Sequence, residues 1–318
     1  MRLLVTGGAG FIGSHFIKHI LNSHPNDRVV NLDKLTYSGN PDNLKEIAGD
    51  PRYSFVKGDI CDTALVGRLV KGKDAIVHFA AETHVDRSIK DGDVFVRTNC
   101  IGTHVLLEAA LKHKIKRFVH ISTDEVYGSR KTGYFKEKDL LNPSSPYSAS
   151  KAASDLLARS YFITHGLDVV ITRCSNNFGP NQYPEKVIPL FITNLMEGKK
   201  VPLYGSGKNV RDWIYVEDHC RAVDIVLQMG RAGEIYNIAG ENYRDNVTLT
   251  KTILKMMGKK ESMIQRVPDR LGHDFRYAIN CAKIRRLGFK PRVGFDEGIR
   301  RTVRWYQENA RWWKKLKK

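Results

Sequence analysis

Long apolar runs are missing from this sequence. A membrane-spanning helix needs about 18–20 consecutive apolar residues, and no stretch of the 318 residues reaches that. Cysteine is sparse. The five residues, Cys61, Cys100, Cys174, Cys220 and Cys281, are odd in number, scattered, and contain no C-x-x-C pair. That pattern excludes a disulfide framework and a zinc knuckle and leaves reduced, mostly buried thiols. The eleven histidines include no H-x-x-H pair, so no metal is expected. There is no internal repeat and no low-complexity linker. The opening "MRLLVTGGAG" enters a strand pattern at once and leaves no room for a signal peptide, so a cytoplasmic location is expected.

Acidic charge is the last scarcity. Lys and Arg number 52 against 34 Asp and Glu, and residues 251–318 alone hold 20 against 6, so that segment carries 14 of the 18 net positive charges. Such a bias can serve nucleic acid or an anionic surface. With no further motif beside the tail "RWWKKLKK", the expectation is a solvated basic helical surface, with no membrane and no nucleic-acid partner. "VTLTKTILKMM" at 247–257 reads as an ordinary amphipathic helix.

The first half alternates short β-branched runs with helical patterns. Strands are expected at "RLLVT" (2–6), "RVVNLD" (28–33), "YSFVKGD" (53–59), "AIVHFAA" (75–81), "RFVHIS" (117–122) and "DVVITR" (168–173). Helices are expected from residue 11, over 93–113 and over 147–165. Alternation of this kind predicts an α/β fold, a doubly wound parallel sheet with helices on both faces. After about residue 175, Asn, Gly and Pro become frequent ("SNNFGPNQYP") and short strands mix with helices. The expected division is a dinucleotide-binding domain over 1–175, a segment near 210–240 returning to it, and a smaller mixed α/β substrate-binding lobe over most of 176–318.

"VTGGAGFIG" follows the first strand and opens the first helix. Gly8, Gly10 and Gly13 satisfy G-x-G-x-x-G, and Gly7, Gly10 and Gly13 give a looser spacing of the same kind. Glycine suits a tight turn whose backbone approaches a pyrophosphate, which the helix N-terminus then holds. Asp33 closes the second strand twenty residues after Gly13, where an acid binds the ribose hydroxyls of NAD and repels the 2′-phosphate of NADP. A Rossmann-type domain binding NAD is the prediction. "PYSASK" then places Tyr147 and Lys151 one helical turn apart on one face. A phenol is a poor base at neutral pH. A neighbouring ammonium and the positive nicotinamide ring favour its phenolate, which could take a proton from a sugar hydroxyl.

Taken together, TGGAGFIG, Asp33 and YSASK resemble the extended short-chain dehydrogenase/reductase family, whose members act on nucleotide sugars. "LDKLTYSGNPDNL", "HFAAETHVDRSI", "STDEVYG", "SNNFGPNQYPEK" and "RDWIYVEDHCRA" are similar, more narrowly, to the 4,6-dehydratases within it, over nearly the whole chain. The resemblance implies that Phe11, Ile12, Lys34 and Thr36 join the glycines and Asp33 around the cofactor. Asp59 and Ile60 would flank its adenine, Ala80, Ala81 and Thr98 would line its channel, and Asn177 would lie near the nicotinamide. It places Thr83, Asn176, Lys186, Val187, Pro202, Tyr204, Arg211, Asn246, Asp269 and His273 around a nucleotide-sugar substrate. Leu271 stands where many relatives carry proline.

The same resemblance gives Thr123 the task of steadying the sugar's C4 oxygen, and chemistry suggests jobs for its neighbours. Once C4 is a ketone the C5 proton becomes acidic, and Glu125 can remove it. Hydroxide at C6 leaves only with a proton, which a protonated Asp124 can give. Mutual repulsion and partial burial would separate the two pKa values. The plainer alternative is that both acids cap the turn after the strand. The implied activity is dehydration of dTDP-linked glucose to its 4-keto-6-deoxy form, with NAD regenerated each turnover. A UDP-, CDP- or GDP-linked sugar, a 4-epimerase or decarboxylase, and a non-catalytic binding protein are the alternatives, in that order. Relatives pair into homodimers through a four-helix interface, for which 93–113 and 147–165 are the candidate helices.

Overall fold

The computed structural model describes residues 1–269 and 272–317. Six strands of the first part are β1 (Arg2–Thr6), β2 (Arg28–Asp33), β3 (Tyr53–Lys57), β4 (Ala75–His78), β5 (Arg117–Thr123) and β6 (Val169–Cys174). The second part supplies β7 (Asn176–Phe178), β8 (Val201–Tyr204), β9 (Val210–Tyr215), β10 (Ile235–Ile238), β11 (Tyr243–Asp245) and β12 (Ile264–Val267). Seven strands make one sheet in the order β10-β6-β5-β4-β1-β2-β3, with every pairing parallel. Strands buried on both faces require unbroken apolar runs, and Leu3, Leu4 and Val5 of β1, like Ile76 and Val77 of β4, are fully buried. The fold is the doubly wound parallel α/β architecture. The strand order reverses between β1 and β4, which opens a crevice at their C-terminal ends.

The second part forms two smaller sheets, β11-β9-β7 and the parallel pair β12-β8. A separate apolar cluster around Phe178, Phe191, Trp213, Tyr306 and Trp313 holds them to the helices Val187–Met196, Asn246–Met256 and Phe295–Glu308. The helix Val216–Met229 packs instead against the first helix, Phe11–Ser23, and leads to the edge strand β10. The basic tail lies down on this framework. Trp313 is 1% exposed, its indole donates to the Tyr306 carbonyl, and Lys317 reaches Asn194 and Glu197.

The stretch expected as one helix over 93–113 is not uniform. A short α-turn, Asp93–Phe95, runs into a π-helical segment, Val96–Gly102, before the α-helix Thr103–Lys112. The Thr103 hydroxyl donates to the Asn99 carbonyl at 2.6 Å, and a side chain bonding back to a carbonyl four residues earlier competes with the helical ladder. Asn99 is also held sideways, by the Glu82 carbonyl and the Ser150 hydroxyl. The wide turn turns this side of the helix toward the cleft, which Thr98 lines.

Candidate active site

A cleft runs along the C-terminal ends of β1, β4, β5 and β6, and its first half is shaped by backbone. Gly7 has φ +72°, and a Cβ there would lie 2.5 Å from the Ala80 nitrogen at the end of β4. A Cβ on Gly13 would meet the Gly7 carbonyl oxygen at 2.3 Å, so the first helix and the first turn touch only because Gly13 lacks a side chain. The helix Phe11–Ser23 starts with no side-chain cap and no acid in its first turn, leaving its N-terminal amides and partial positive charge facing the cleft. Asp33 turns its carboxylate back to this turn, with Oδ2 accepting from the Ala9 amide at 2.9 Å and Oδ1 from the Leu35 amide at 2.8 Å. Burial nevertheless raises its pKa. Lys34 pairs with Asp59 at 2.8 Å. Thr36, Ile60, Ala80, Ala81, Thr98 and Asn177 line the same half, together with Gly7, Gly10, Phe11, Ile12, Gly13, Asp33, Lys34 and Asp59. The buried side-chain oxygens of Asn176 and Asn177 have no partner among the described residues.

At the centre, β5 ends on Thr123 and a tight turn, Asp124–Tyr127, follows. The cap of that turn is Thr123, whose hydroxyl accepts from the Glu125 amide at 3.2 Å. Capping therefore does not explain the two acids. Asp124 is 3% exposed and its Oδ2 has no partner among the described residues. Burial lifts its pKa well above the ordinary carboxylate value; the charges of Glu125 and Asp212 add to this, and Arg211 opposes it. One carboxyl with a raised pKa thus stands beside a second acid, Glu125, which lines both halves of the cleft.

The helix Pro146–His165 opens with a capping box between Ser145 and Ser148 and a proline in its first turn, so its start is fixed two residues before Tyr147. Tyr147 and Lys151 are both buried and both line the cleft. The Lys151 ammonium is anchored to the Ile121 carbonyl at 2.8 Å. Burial lowers its pKa, and Asp155, one turn further along and paired with Arg173 at 2.8 Å, counters that. Here the structure departs from expectation. Tyr147 is pushed well above the ordinary phenol value, by burial first and Glu125 second, while the Thr123 hydroxyl pulls it down. The lysine is committed to a carbonyl, and the chain alone does not favour the phenolate.

The second half of the cleft is built from side chains far apart in sequence. Thr83, Asn176, Lys186, Val187, Pro202, Tyr204, Arg211, Asn246 and His273 all line it. Arg211 on β9 donates to the carbonyls of Val210 and Asp274, each at 2.9 Å, and its guanidinium stacks 4.2 Å from the centre of the Tyr277 ring. Lys186 Nζ donates to the Thr83 carbonyl at 3.0 Å. Asp269 stands behind the lining, with its carboxylate 2.6 Å from His273 Nδ1. Leu271 lies outside the described residues.

Several residues in the cleft carry no mark in the sequence. Cys174, at the end of β6, donates its thiol to the Ser122 carbonyl, and burial pushes that thiol up to about 12. Tyr277 forms the floor beneath Arg211. Tyr37 and Glu185 face each other across the rim. Glu185 sits inside the quoted "NQYPEK", where nothing but the resemblance distinguishes it from a solvated acid.

A sequence model described as GDP-mannose 4,6 dehydratase matches residues 4–302. The chain belongs to that family of nucleotide-sugar enzymes, within the short-chain dehydrogenase/reductase fold. The dTDP-glucose 4,6-dehydratase of Streptomyces niveus is 58% identical over 322 residues, covering 100% of this chain and 96% of that one. The crystal structure of DesIV, a dTDP-glucose 4,6-dehydratase from Streptomyces venezuelae with NAD and TYD bound, superposes with a TM-score of 0.98 at 55% identity and covers 100% of both chains. A UDP-glucose 4-epimerase from Thermotoga maritima, solved with UDP-glucose, retains the fold at 29% identity, with a TM-score of 0.90 and coverage of 98% and 100%.

Proposed function

We propose that the chain converts dTDP-glucose to dTDP-4-keto-6-deoxyglucose, holding NAD throughout. The glycine turn and the helix N-terminus take the pyrophosphate, and Asp33 takes the adenosine ribose. Bound there, NAD accepts hydride from C4 and returns it to C6, and its positive ring favours the phenolate that the chain alone does not. Tyr147 removes the proton from the C4 hydroxyl, and Thr123 steadies that oxygen. Glu125 then takes the C5 proton, which the C4 ketone has made acidic. Asp124 protonates the departing C6 hydroxyl, so that water leaves across C5 and C6. Reprotonation at C5 completes the product with no net oxidation. Arg211 meets the diphosphate, and Asn246, Asp269 and His273 hold the nucleotide end.

One observation carries this reading: a buried carboxyl with a raised pKa, Asp124, beside a second acid in the same cleft as Tyr147. Elimination of water needs an acid and a base at C6 and C5 in addition to the tyrosine that serves C4, whereas exchange of configuration at C4 needs no such additional pair. The test is incubation with dTDP-glucose deuterated at C4, adding no NAD. Loss of one water with deuterium on C6 is expected. Unchanged dTDP-glucose from protein shown to contain NAD would overturn the substrate, and UDP-, CDP- and GDP-linked sugars would be tried next.

The working form in this reading is a cytoplasmic homodimer. Val96 and Ile101 on the irregular helix, and Leu156 and Ile163 on the helix Pro146–His165, are exposed apolar residues on the two candidate helices, which pack against each other. Two such pairs form a four-helix interface. All five cysteines are free, which suits a reducing compartment.

A further inference from the structure

Three segments distant in sequence meet at the rim of the cofactor half. Tyr37 stands in the loop after β2, Arg87 in the short helix Val85–Lys90 beyond β4, and Glu185 just ahead of the helix Val187–Met196. The Tyr37 hydroxyl donates to Glu185 Oε1 at 2.8 Å, and Arg87 Nη2 donates to Oε2 at 3.1 Å, so one carboxylate ties the other two segments together. The Arg87 guanidinium lies 3.7 Å from the centre of the Tyr37 ring. Tyr183 packs edge-on against Tyr37, with ring centres 5.3 Å apart, and its hydroxyl donates to the Leu316 carbonyl of the C-terminal tail. The Glu185 side chain is only 16% exposed.

No step of the reaction uses this cluster. Its placement is informative: Tyr37 and Tyr183 line the cofactor half, and Glu185 lines both halves where they meet. We propose that Tyr37, Arg87 and Glu185 form a clasp over the cofactor half, at its junction with the substrate half, which retains the dinucleotide from one turnover to the next. The inference rests on the proposed use of NAD. A cofactor reduced in the first half-reaction and reoxidised in the last must not escape between them, because escape strands a 4-keto sugar with nothing to reduce its C6. A dinucleotide under a rim tied by charge-assisted bonds leaves only when those bonds open together.

The test uses full-length protein purified without added NAD. Wild type is first shown to carry NAD and to turn over dTDP-glucose unaided; failure at this point would sink the proposed function, not the clasp. Tyr37→Phe removes one hydroxyl, and Arg87→Gln removes the ion pair and the stacked cation. Each is expected to release NAD about tenfold faster on dilution into an NAD-scavenging mixture, the change that losing one net hydrogen bond to a charged group brings. Activity should come to depend on added NAD and return when it is supplied, with the melting temperature of the NAD-loaded protein unchanged. Arg87→Lys keeps the charge but not the planar stack, and should restore retention in part. Variants that hold NAD as long as wild type would overturn the clasp. So would faster release matched by an equal rise in the dTDP-glucose KM at saturating NAD, since that is what a general loosening of the cleft produces.

Discussion

The two halves of the cleft are made in different ways. In the cofactor half, main chain sets the shape: a turn that no Cβ can enter, a helix end left uncapped, and a carboxylate holding two amides. Apart from the end of β4, against which Gly7 is pressed, all of it falls within residues 2–39, one strand-helix-strand unit. In the substrate half, side chains set the shape, and they come from the start of one helix (Val187), two strands (Pro202 and Arg211), the start of another helix (Asn246) and a loop (His273). The first half is fixed by local sterics and the second by tertiary packing. A residue in the first should therefore be nearly irreplaceable, whereas many in the second should be adjustable. The Thermotoga maritima epimerase, solved with UDP-glucose, keeps the fold at 29% identity.

The largest effects belong to the seam between the halves. Tyr147→Phe is expected to lower kcat by about 10²–10⁴-fold, the range of general acid-base catalysis, with NAD content unchanged. Glu125→Gln should be as slow overall but stop later, with reduced nicotinamide building up on the protein after substrate is added. A Tyr147→Phe enzyme that accumulates reduced cofactor in the same way would mean that the two roles have been assigned the wrong way round.

Next come a matched pair, one from each half. Gly13→Ala drives a methyl group to within 2.3 Å of the Gly7 carbonyl. Overpacking of that kind costs about 1–3 kcal/mol, so NAD content should fall about 5- to 150-fold while affinity for dTDP alone changes little. Arg211→Ala should do the reverse. Losing hydrogen bonds to a charged group costs about 1.5–3 kcal/mol, which raises the dTDP-glucose KM about 10- to 150-fold with NAD content intact. Calorimetry with each ligand separates the two, and any variant that weakens both alike breaks the comparison.

How much of this is legible in the sequence follows the same division. Gly7, Gly13 and Asp33 are readable because a steric rule ties them to one another across a few tens of residues. Six of the seven strands of the large sheet are readable from short β-branched runs, whereas the edge strand β10 is not marked in this way. Tyr147 and Lys151 are readable as a pair, but the tether of Lys151 to the Ile121 carbonyl is not, since it depends on where β5 ends against a helix 30 residues later. The wide turn over Val96–Gly102 escapes because the hydroxyl of Thr103 and the carbonyl of Asn99 override a sequence that otherwise reads as one helix. Glu185, Cys174 and Tyr277 escape because their surroundings are entirely non-local.

Acid should distinguish the halves more gently. Burial lowers His15 and His120 to about 4 and His219 to about 3, and all three belong to the large sheet or the helices packed on it. A histidine whose folded pKa lies below its unfolded value stabilises the fold above about pH 6.5, and that stability is lost as pH falls toward the folded pKa. Melting temperature should therefore decline steadily from pH 6.5 to 4.5, with loss of bound NAD. A flat profile over that window would show that these imidazoles accept protons without strain. Activity carries a limb of opposite sense. Asp124 must be protonated to serve as the acid, so kcat should fall as pH rises through its raised pKa, a limb that disappears from what activity Asp124→Asn retains.

The smallest expected effect is the most useful test of adjustability. His273 lines the substrate half and is held by Asp269 at 2.6 Å, but that carboxylate is 48% exposed. A pair open to water on one side contributes only about 0–1 kcal/mol and is screened by salt. Asp269→Asn should therefore raise the dTDP-glucose KM no more than about twofold to fivefold, with the gap to wild type narrowing as salt is added. His273→Gln should cost somewhat more, because it removes a group that reaches the cleft itself. If Asp269→Asn instead cost as much as Arg211→Ala and ignored salt, the nucleotide end of the substrate half would be as rigidly specified as the glycine turn. The contrast between a backbone-defined half and a side-chain-defined half would then hold only for the cofactor.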